Sequence, residues 1–189
     1  MELLNNKLKQ ILLYLEEPGT MEHIGNKQIC YLTFPVEMVL DVKKNTETMI
    51  SLIKHYKYEV QELSMGNEIL NFIKNNSRRK NWMEFSKVEY VEEMNDFFKG
   101  LSSTINENEV LENAILSKQI ELIEKKKPLL LLTDLEGIHP YTRFGPVEQK
   151  IYNNIQIPII ILYPGELSGS SLEFLGYYPP DGNYRSKHY

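Results

Sequence analysis

Two uninterrupted runs of aliphatic residues constrain the fold of this chain more than any other feature. They are Leu129–Leu132 and Ile159–Leu162, within the predicted strands Leu129–Thr133 and Ile157–Tyr163, and the segment between them, Gly145–Asn154, is long enough for a helix. Strands that are apolar on both faces need helices on both sides, as in parallel sheets. The pattern therefore predicts two parallel strands joined by a helical crossover, with Pro146 in the first turn of its helix.

Other segments predict further elements of the same α/β layout. Short β-prone runs predict two more strands, Gln28–Phe34 and Tyr58–Leu63. Apolar residues at helical spacing predict helices at Met1–Glu16, Leu40–Tyr56 and Gly66–Lys74. Alternating strands and helices of this length predict a single Rossmann-like, three-layer α/β domain over residues 1–189, with a mostly parallel sheet.

The middle of the chain, residues 75–127, predicts a helical and acidic insertion in this domain. Acidic side chains outnumber lysines ten to three from Glu84 to Glu124. Gly100-Leu101-Ser102-Ser103 predicts a break between two helices, and Asn106 with Glu109 resembles a capping box that opens the second helix. Four aliphatic residues can line one face of that helix: Leu111, Ile115, Leu122 and Ile123. Such acidic helices are most simply solvated, and docking of a basic partner is the alternative.

The C-terminal segment is rich in aromatic and cationic residues, which are types that anchor interfaces. Leu172–Tyr178 predicts an edge-like strand, and Asp181-Gly182 is a hairpin-type turn. Asn183–Tyr189 is therefore expected to fold back beside that strand. The segment either docks on the chain's own sheet as a last strand or presents Tyr184, Arg185 and Tyr189 to a partner, and the two interpretations are compatible.

Composition narrows the class of protein. The hydrophobic content of 42% and the charged content of 25% are those of an ordinary globular protein. The net charge of −5 argues against a protein whose main task is to coat DNA or an anionic membrane. No apolar stretch approaches the ~20 residues that cross a bilayer, so a cytoplasmic location is expected. The single cysteine, Cys30, lies in an apolar run and is most simply a buried, reduced thiol.

The carboxyl ends of parallel strands share one edge of a sheet, and open α/β sheets bind ligands at this edge. Nine residues are expected to gather there: Pro35, Glu37, Asp134, Glu136, His139, Arg143, Tyr163, Gly165 and Glu166. The simpler interpretation for Asp134 and Glu136 is that they end a strand and face water. Arg143 stands out as the only cation in a neutral loop rich in Pro and Gly. Tyr163-Pro164-Gly165-Glu166 predicts a tight turn.

Recognisable catalytic patterns are missing from the sequence. There is no Walker A motif and no G-x-S-x-G elbow, which disfavours ATP hydrolysis and serine-hydrolase chemistry. The four scattered histidines form no metal-ligand spacing with Cys30. We therefore expect no enzymatic activity, no metal and no cofactor. Arg78, Arg79 and Lys80 beside Trp82 could contact phosphates or stack a base, although such a run is more often a solvated helix end.

An ordered series of residues in the last third of the chain carries a family resemblance. The series is Gly137, Pro140 and Arg143, then Pro158, Tyr163, Pro164, Gly165 and Glu166, then Leu172, Phe174 and Gly176, and finally Asn183, Tyr184 and Arg185. In this order it resembles the BrxB family of the bacterial BREX (bacteriophage exclusion) defence systems. The ending Asn183–Lys187 departs from the family's usual ending, which favours a divergent branch.

The resemblance implies a component of a multi-gene anti-phage system. Such systems combine a large ATPase, a PglZ-like protein with an alkaline-phosphatase fold and an adenine-specific DNA methyltransferase. The resemblance further implies a non-catalytic adaptor that joins these components and meets nucleic acid only indirectly. The expected partner surface comprises Asp134, His139, Arg143, Tyr163, Gly165, Glu166, Asn183, Tyr184 and Arg185.

Two alternatives to the adaptor stay open at this point. The first is an α/β domain that binds a nucleotide or phosphate through Arg143 and Arg185 near Asp134, since arginine forks suit phosphate. The second is a weak DNA-binding accessory protein that uses Arg78–Lys80.

Overall fold

The computed structural model describes residues 1–17, 29–85, 91–168, 171–176 and 186–189. Within these ranges the helices are α1 (Glu2–Glu16), α2 (Val39–His55), α3 (Met65–Asn75), α4 (Arg79–Phe85), α5 (Val91–Glu107), α6 (Val110–Leu122) and α7 (Phe144–Ile151). The strands are β1 (Ile29–Phe34), β2 (Glu59–Ser64), β3 (Pro128–Thr133), β4 (Ile159–Ser168), β5 (Ser171–Phe174) and β6 (Lys187–His188). None of the described helices combines the length and the apolar character needed to span a membrane.

The strands form one mostly parallel sheet in the order β2-β3-β4-β1-β6, and all neighbours in that order run parallel. β5 lies off this path and pairs antiparallel with β4. In the middle of the sheet, Ile159 of β4 is in register with Ile29 on one side and with Leu130 on the other. The predicted α/β fold and the pairing of the two aliphatic runs as parallel neighbours are confirmed.

Successive residues of the central strands face two separate cores, and this produces three layers. Leu130 and Ile161 belong to the core under α3, α6 and α7. Leu131 and Ile160 belong to the core under α1 and α2. Cys30 is fully buried in the second core, as predicted, and burial raises the pKa of its thiol to about 12.

The order of the connections explains where a crevice forms at the carboxyl edge of the sheet. From β1 the chain crosses through α2, on one face of the sheet, to the far edge strand β2. It then returns to β3 and on to β4 through helices on the opposite face. Right-handed crossovers that travel in opposite directions lie on opposite faces of the sheet. Helices therefore leave β1 and β3 toward opposite faces, and this change of face puts the topological switch point at the carboxyl ends of these two strands, with β4 between them.

The predicted boundary between the two middle helices is wrong. Helix α5 continues through Gly100 to Glu107 because Leu101 and Ile105 are buried in the core and outweigh the modest helix cost of one glycine. Asn106 does not cap α6, since its Nδ2 atom instead donates to the carbonyl of Ser102 at 2.7 Å. The residue before α6 is Glu109, which has a left-handed backbone (φ 48°) and makes no side-chain cap.

The predicted buried face of α6 is partly right. Leu111, Ile115 and Leu122 are buried, whereas Ile123 is 38% exposed. Besides the buried Glu112, Gln119 also takes an inward position. Its side chain donates to the carbonyl of Asn154 at 2.9 Å and accepts from the backbone N–H of Gln156 at 2.7 Å. These two hydrogen bonds offset the cost of burying the amide.

Two predictions about the end of the chain are corrected by the sheet. Tyr163–Glu166 is not a turn, because β4 runs straight through it and pairs Gly165 with Phe174 of β5. Lys187–His188 does dock on the chain's own sheet as a last strand, as one interpretation proposed. It pairs with β1, however, and not with the strand at Ser171–Phe174.

Candidate interaction surface at the carboxyl edge of the sheet

A small charged network joins three elements at the carboxyl edge. Asp134 follows β3 directly in a left-handed conformation (φ 55°) and accepts a hydrogen bond from the hydroxyl of Ser64, the last residue of β2, at 2.5 Å. The ammonium nitrogen of Lys43 on α2 lies 2.9 Å from Oδ1 of Asp134 and 2.6 Å from Oε1 of Glu136. The ends of β2 and β3 are thereby tied to the helix that follows β1.

The pKa shifts in this network follow from the contacts between its charged groups. Burial alone would raise the pKa of Asp134, but hydrogen bonds from Ser64 and Lys43 outweigh it and hold that pKa below its ordinary value. Burial would likewise lower the pKa of Lys43, and the contacts with Glu136 and Asp134 raise it instead. The network thus joins one lysine to two acidic side chains.

The crevice at the switch point is small. It lies between Phe34 at the end of β1, Leu162 of β4 and the Lys43–Asp134 pair. Its empty volume is about 250 Å³, and this figure includes space open to solvent. Pockets for small-molecule ligands typically have volumes of about 300–1,000 Å³. The crevice as it stands is too small for a nucleotide, and the lysine that could attract a phosphate already binds two carboxylates.

Close backbone packing holds the Asp134 loop in place. A Cβ atom on Gly137 would come within 2.8 Å of the Cα atom of Gly66 in the first turn of α3. Only glycine allows this approach, so the turn at Leu135–Ile138 rests directly on α3. Sequence reasoning had placed Gly137 in the family series. It missed Ser64, Gly66 and Lys43, because their roles depend on contacts across the sheet.

The loop that carries His139 and Arg143 is fastened by helix α5. Ser102 donates a hydrogen bond to the carbonyl of Tyr141, and the hydroxyl of Thr142 donates to Oδ1 of Asn106 at 2.8 Å. Partial burial lowers the pKa of His139, and the positive charge of Arg143 lowers it further. Both side chains are exposed on the same loop.

The remaining described candidates have different roles in the structure. Tyr163 is buried, with its ring centroid 5.4 Å from that of Tyr31 and 5.3 Å from that of Phe174. A Cβ atom on Gly165 would come within 2.1 Å of the carbonyl oxygen of Glu173, so the β4–β5 pairing requires glycine there. Glu166 is exposed. The candidates Asn183, Tyr184 and Arg185 lie outside the described residues.

The nucleic-acid candidates lie at a distance from this edge. Arg78, Arg79 and Lys80 are exposed where α3 gives way to α4, at the end of α3 that points away from the carboxyl edge. Trp82 is buried, and its ring lies 6.4 Å from that of Phe72. Its ring is therefore not presented for stacking on a base.

Comparisons with known proteins point to one family. The family model described as BREX protein BrxB matches residues 61–188. A search of curated proteins found no significant match, and neither did a search of solved structures. Within the described ranges, no group of three or more His, Cys, Asp or Glu side chains is arranged to hold a metal ion.

Proposed function

Because the chain belongs to the BrxB family of BREX defence components, we propose that it is a non-catalytic adaptor that joins other proteins of the system in the cytoplasm. One observation carries this proposal: the crevice where an α/β enzyme would bind its substrate is occupied by the chain's own ion pairs. Lys43 already forms ion pairs with Asp134 and Glu136, and little open volume remains in the crevice. The edge therefore suits contact with a surface better than capture of a small ligand.

The rim of the crevice supports the same proposal. Leu40, in the first turn of α2, is 68% exposed, and the neighbouring Val36 is 38% exposed. His139 and Arg143 lie on the loop after β3 at the same edge of the sheet. We name Val36, Leu40, Asp134, His139 and Arg143 the carboxyl-edge surface. Exposed apolar side chains mark surfaces that contact other proteins, and arginine is enriched in such interfaces.

Co-purification tests the adaptor directly. The tagged chain would be expressed with its own gene cluster, and the captured BREX components would be quantified for the wild type, Leu40→Ser and Arg143→Ala. We expect both variants to lose at least one component that the wild type retains. Lys99→Ala is the matched control, because Lys99 is highly exposed on α5 and forms a solvent-exposed ion pair with its neighbour Asp96. Retention of every component by both variants, or capture of none by the wild type, would overturn the proposal.

The competing nucleotide-binding hypothesis makes a different prediction. A thermal-shift screen with ATP, GTP, NAD and inorganic phosphate should leave the melting temperature of the adaptor unchanged. A ligand present at 100 times its Kd would add about 2.7 kcal/mol to the free energy of unfolding, which such a screen detects readily. Stabilisation that disappears in Arg143→Ala would favour the phosphate site.

A further inference from the structure

The amino end of the sheet brings together two lysine-rich segments that lie about 70 residues apart in the sequence. The starts of β2 and β3 are in register, with Glu59 opposite Pro128. The backbone N–H of Glu59 donates to the carbonyl of Lys127 at 2.7 Å, and the N–H of Lys126 donates to Oε1 of Glu59 at 3.1 Å. The end of α2 and the segment after α6 therefore form one surface.

Four lysines of this surface are available to a partner. Lys54, Lys57, Lys125 and Lys126 are exposed, and none of them forms a salt bridge with another described residue. Lys127 differs, because its ammonium group contacts Glu16 at 2.6 Å and lies 4.1 Å from the ring centroid of Tyr58. Glu59 and Glu124 are the acids closest along the chain, so the local balance is about two positive charges.

Exposed aliphatic side chains shortly precede Lys125 and Lys126 in the sequence. Ile120 is 71% exposed and Ile123 is 38% exposed, and they are neighbours on one side of α6 at a spacing of three residues. The opposite side of α6 packs in the core through Leu111 and Ile115. Helix α6 thus has one apolar side that packs in the core and a second apolar side that is exposed.

Rotation of the helix cannot bury these isoleucines. The side chain of Gln119 is clamped at both ends, since Nε2 donates to the carbonyl of Asn154 and Oε1 accepts from the N–H of Gln156. Turning α6 to bury Ile120 would break both bonds and leave the two backbone groups without these partners, which is unfavourable. The exposure of Ile120 is therefore fixed by the structure.

We propose that this amino-edge surface, formed by Lys54, Lys57, Ile120, Ile123, Lys125 and Lys126, docks an acidic amphipathic helix of another component of the defence complex. The two isoleucines match apolar residues spaced one turn apart on a partner helix, and the lysines match acidic residues that flank them. Nucleic acid fits less well, because its phosphates offer nothing to Ile120 and the whole chain carries a net charge of −5.

The amino-edge surface is separate from the carboxyl-edge surface. The strands between them have about six residues, so the two surfaces lie roughly 20 Å apart. Two partners could therefore bind at once, and the chain would act as a bridge. That the partner is a BREX component rests on the proposed adaptor function, whereas the surface itself does not.

Two double variants test the two halves of this surface. Ile120→Ser with Ile123→Ser removes the apolar part, and Lys125→Glu with Lys126→Glu reverses the charge. Lys9→Glu on α1 is the control for an exposed charge reversal, and thermal melts check that each variant is folded. In the co-purification described above, we expect both double variants to lose the same component by at least tenfold, while Lys9→Glu retains it. Capture of that component by the wild type should also weaken from 0.1 to 0.5 M salt.

Three results would overturn the proposal. The first is full retention of every component by both double variants. The second is a purified wild-type dimer that becomes monomeric in Ile120→Ser with Ile123→Ser, which would make a second copy the occupant. The third is binding of duplex DNA that is lost on reversal of Lys125 and Lys126. The carboxyl-edge variants are scored separately, so failure of the adaptor surface and failure of the amino-edge surface remain distinguishable.

Discussion

Tyr31 in the middle of β1 donates a hydrogen bond to Oε2 of Glu148 on α7 across 2.5 Å, although 117 residues separate them in the sequence. Ser186 donates to the other oxygen of the same carboxylate. Glu148 is only 3% exposed. One buried acid thus joins the central strand, the last helix and the C-terminal segment that continues into β6.

Replacement of Glu148 tests how much this junction contributes. Glu148→Ala removes the acceptor of both hydrogen bonds, so we expect a loss of about 3 kcal/mol in the free energy of unfolding. Glu148→Gln keeps an oxygen acceptor and removes the charge, and it should cost much less. Urea denaturation at pH 7 measures both. Equal losses in the two variants would show that the hydrogen bonds contribute little.

The same carboxylate predicts a pH dependence. Burial raises the pKa of Glu148 despite the opposing hydrogen bonds from Ser186 and Tyr31. The folded state therefore binds the proton more tightly than the unfolded state. Its contribution to stability is fully present below the ordinary pKa of 4.5 and is lost as the pH rises through the raised value. The free energy of unfolding of the wild type, relative to Glu148→Gln, should fall as the pH rises above 4.5, and a flat difference would contradict this.

The sheet could be predicted from sequence because its signals are local. The aliphatic runs at Leu129–Thr133 and Ile157–Tyr163 are buried on both faces, and this makes their composition diagnostic. The break predicted at Gly100 failed because one glycine costs a helix only about 1 kcal/mol, and burial of the adjacent Leu101 exceeds that. Local pattern therefore predicts strands more safely than it predicts helix ends.

The site was less accessible to sequence reasoning. Asp134 and Glu136 were foreseen at the carboxyl edge, but Lys43 was not, because 91 residues separate it from Asp134 and only the crossover of α2 brings them together. The amino-edge surface has the same origin, since Lys57 and Lys125 meet only through the pairing of β2 with β3. Contacts between residues that are far apart in the sequence leave no signal in local composition or periodicity.

The C-terminal strand predicts a local effect on dynamics. The hydroxyl of Thr33 donates to the carbonyl of Tyr189 at 2.6 Å, and the N–H of Tyr189 donates to the carbonyl of Tyr31 at 3.0 Å. Thr33→Val keeps the shape and loses the first bond, so we expect a global cost of about 1 kcal/mol. Amide exchange at Tyr189 should accelerate, while exchange in β3 follows only the global change. Unchanged protection at Tyr189 would mean that the ladder alone holds this segment.

Two glycines should respond in opposite ways to alanine. Gly165→Ala would place its Cβ atom 2.1 Å from the carbonyl oxygen of Glu173, a backbone atom that cannot move without disturbing β5. We expect it to lower the free energy of unfolding by about 1–3 kcal/mol. Gly100 lies within α5 and has nothing within 4 Å of its Cβ position, so Gly100→Ala should raise it by about 1 kcal/mol. Thermal or urea denaturation distinguishes the two, and equal effects would contradict the close approach at Gly165.

The charged network at the carboxyl edge predicts a pH dependence of the opposite sign to that of Glu148. The pKa of Asp134 is held low by Ser64 and Lys43 against the effect of burial. Its contribution to stability is present above the ordinary pKa of 3.8 and is lost as the pH falls through the lowered value.

Asp134→Asn isolates this charge, because asparagine tolerates the left-handed backbone at this position. At pH 7 we expect it to lower the free energy of unfolding by about 1 kcal/mol, a modest effect because Lys43 is half exposed. The difference from the wild type should shrink in urea denaturation series carried from pH 7 to below pH 3. Asp96→Asn, whose carboxylate makes a solvent-exposed pair with Lys99, should show almost no difference at either pH. A deficit of Asp134→Asn that stays constant with pH would mean that the carboxylate acts only through its hydrogen bonds.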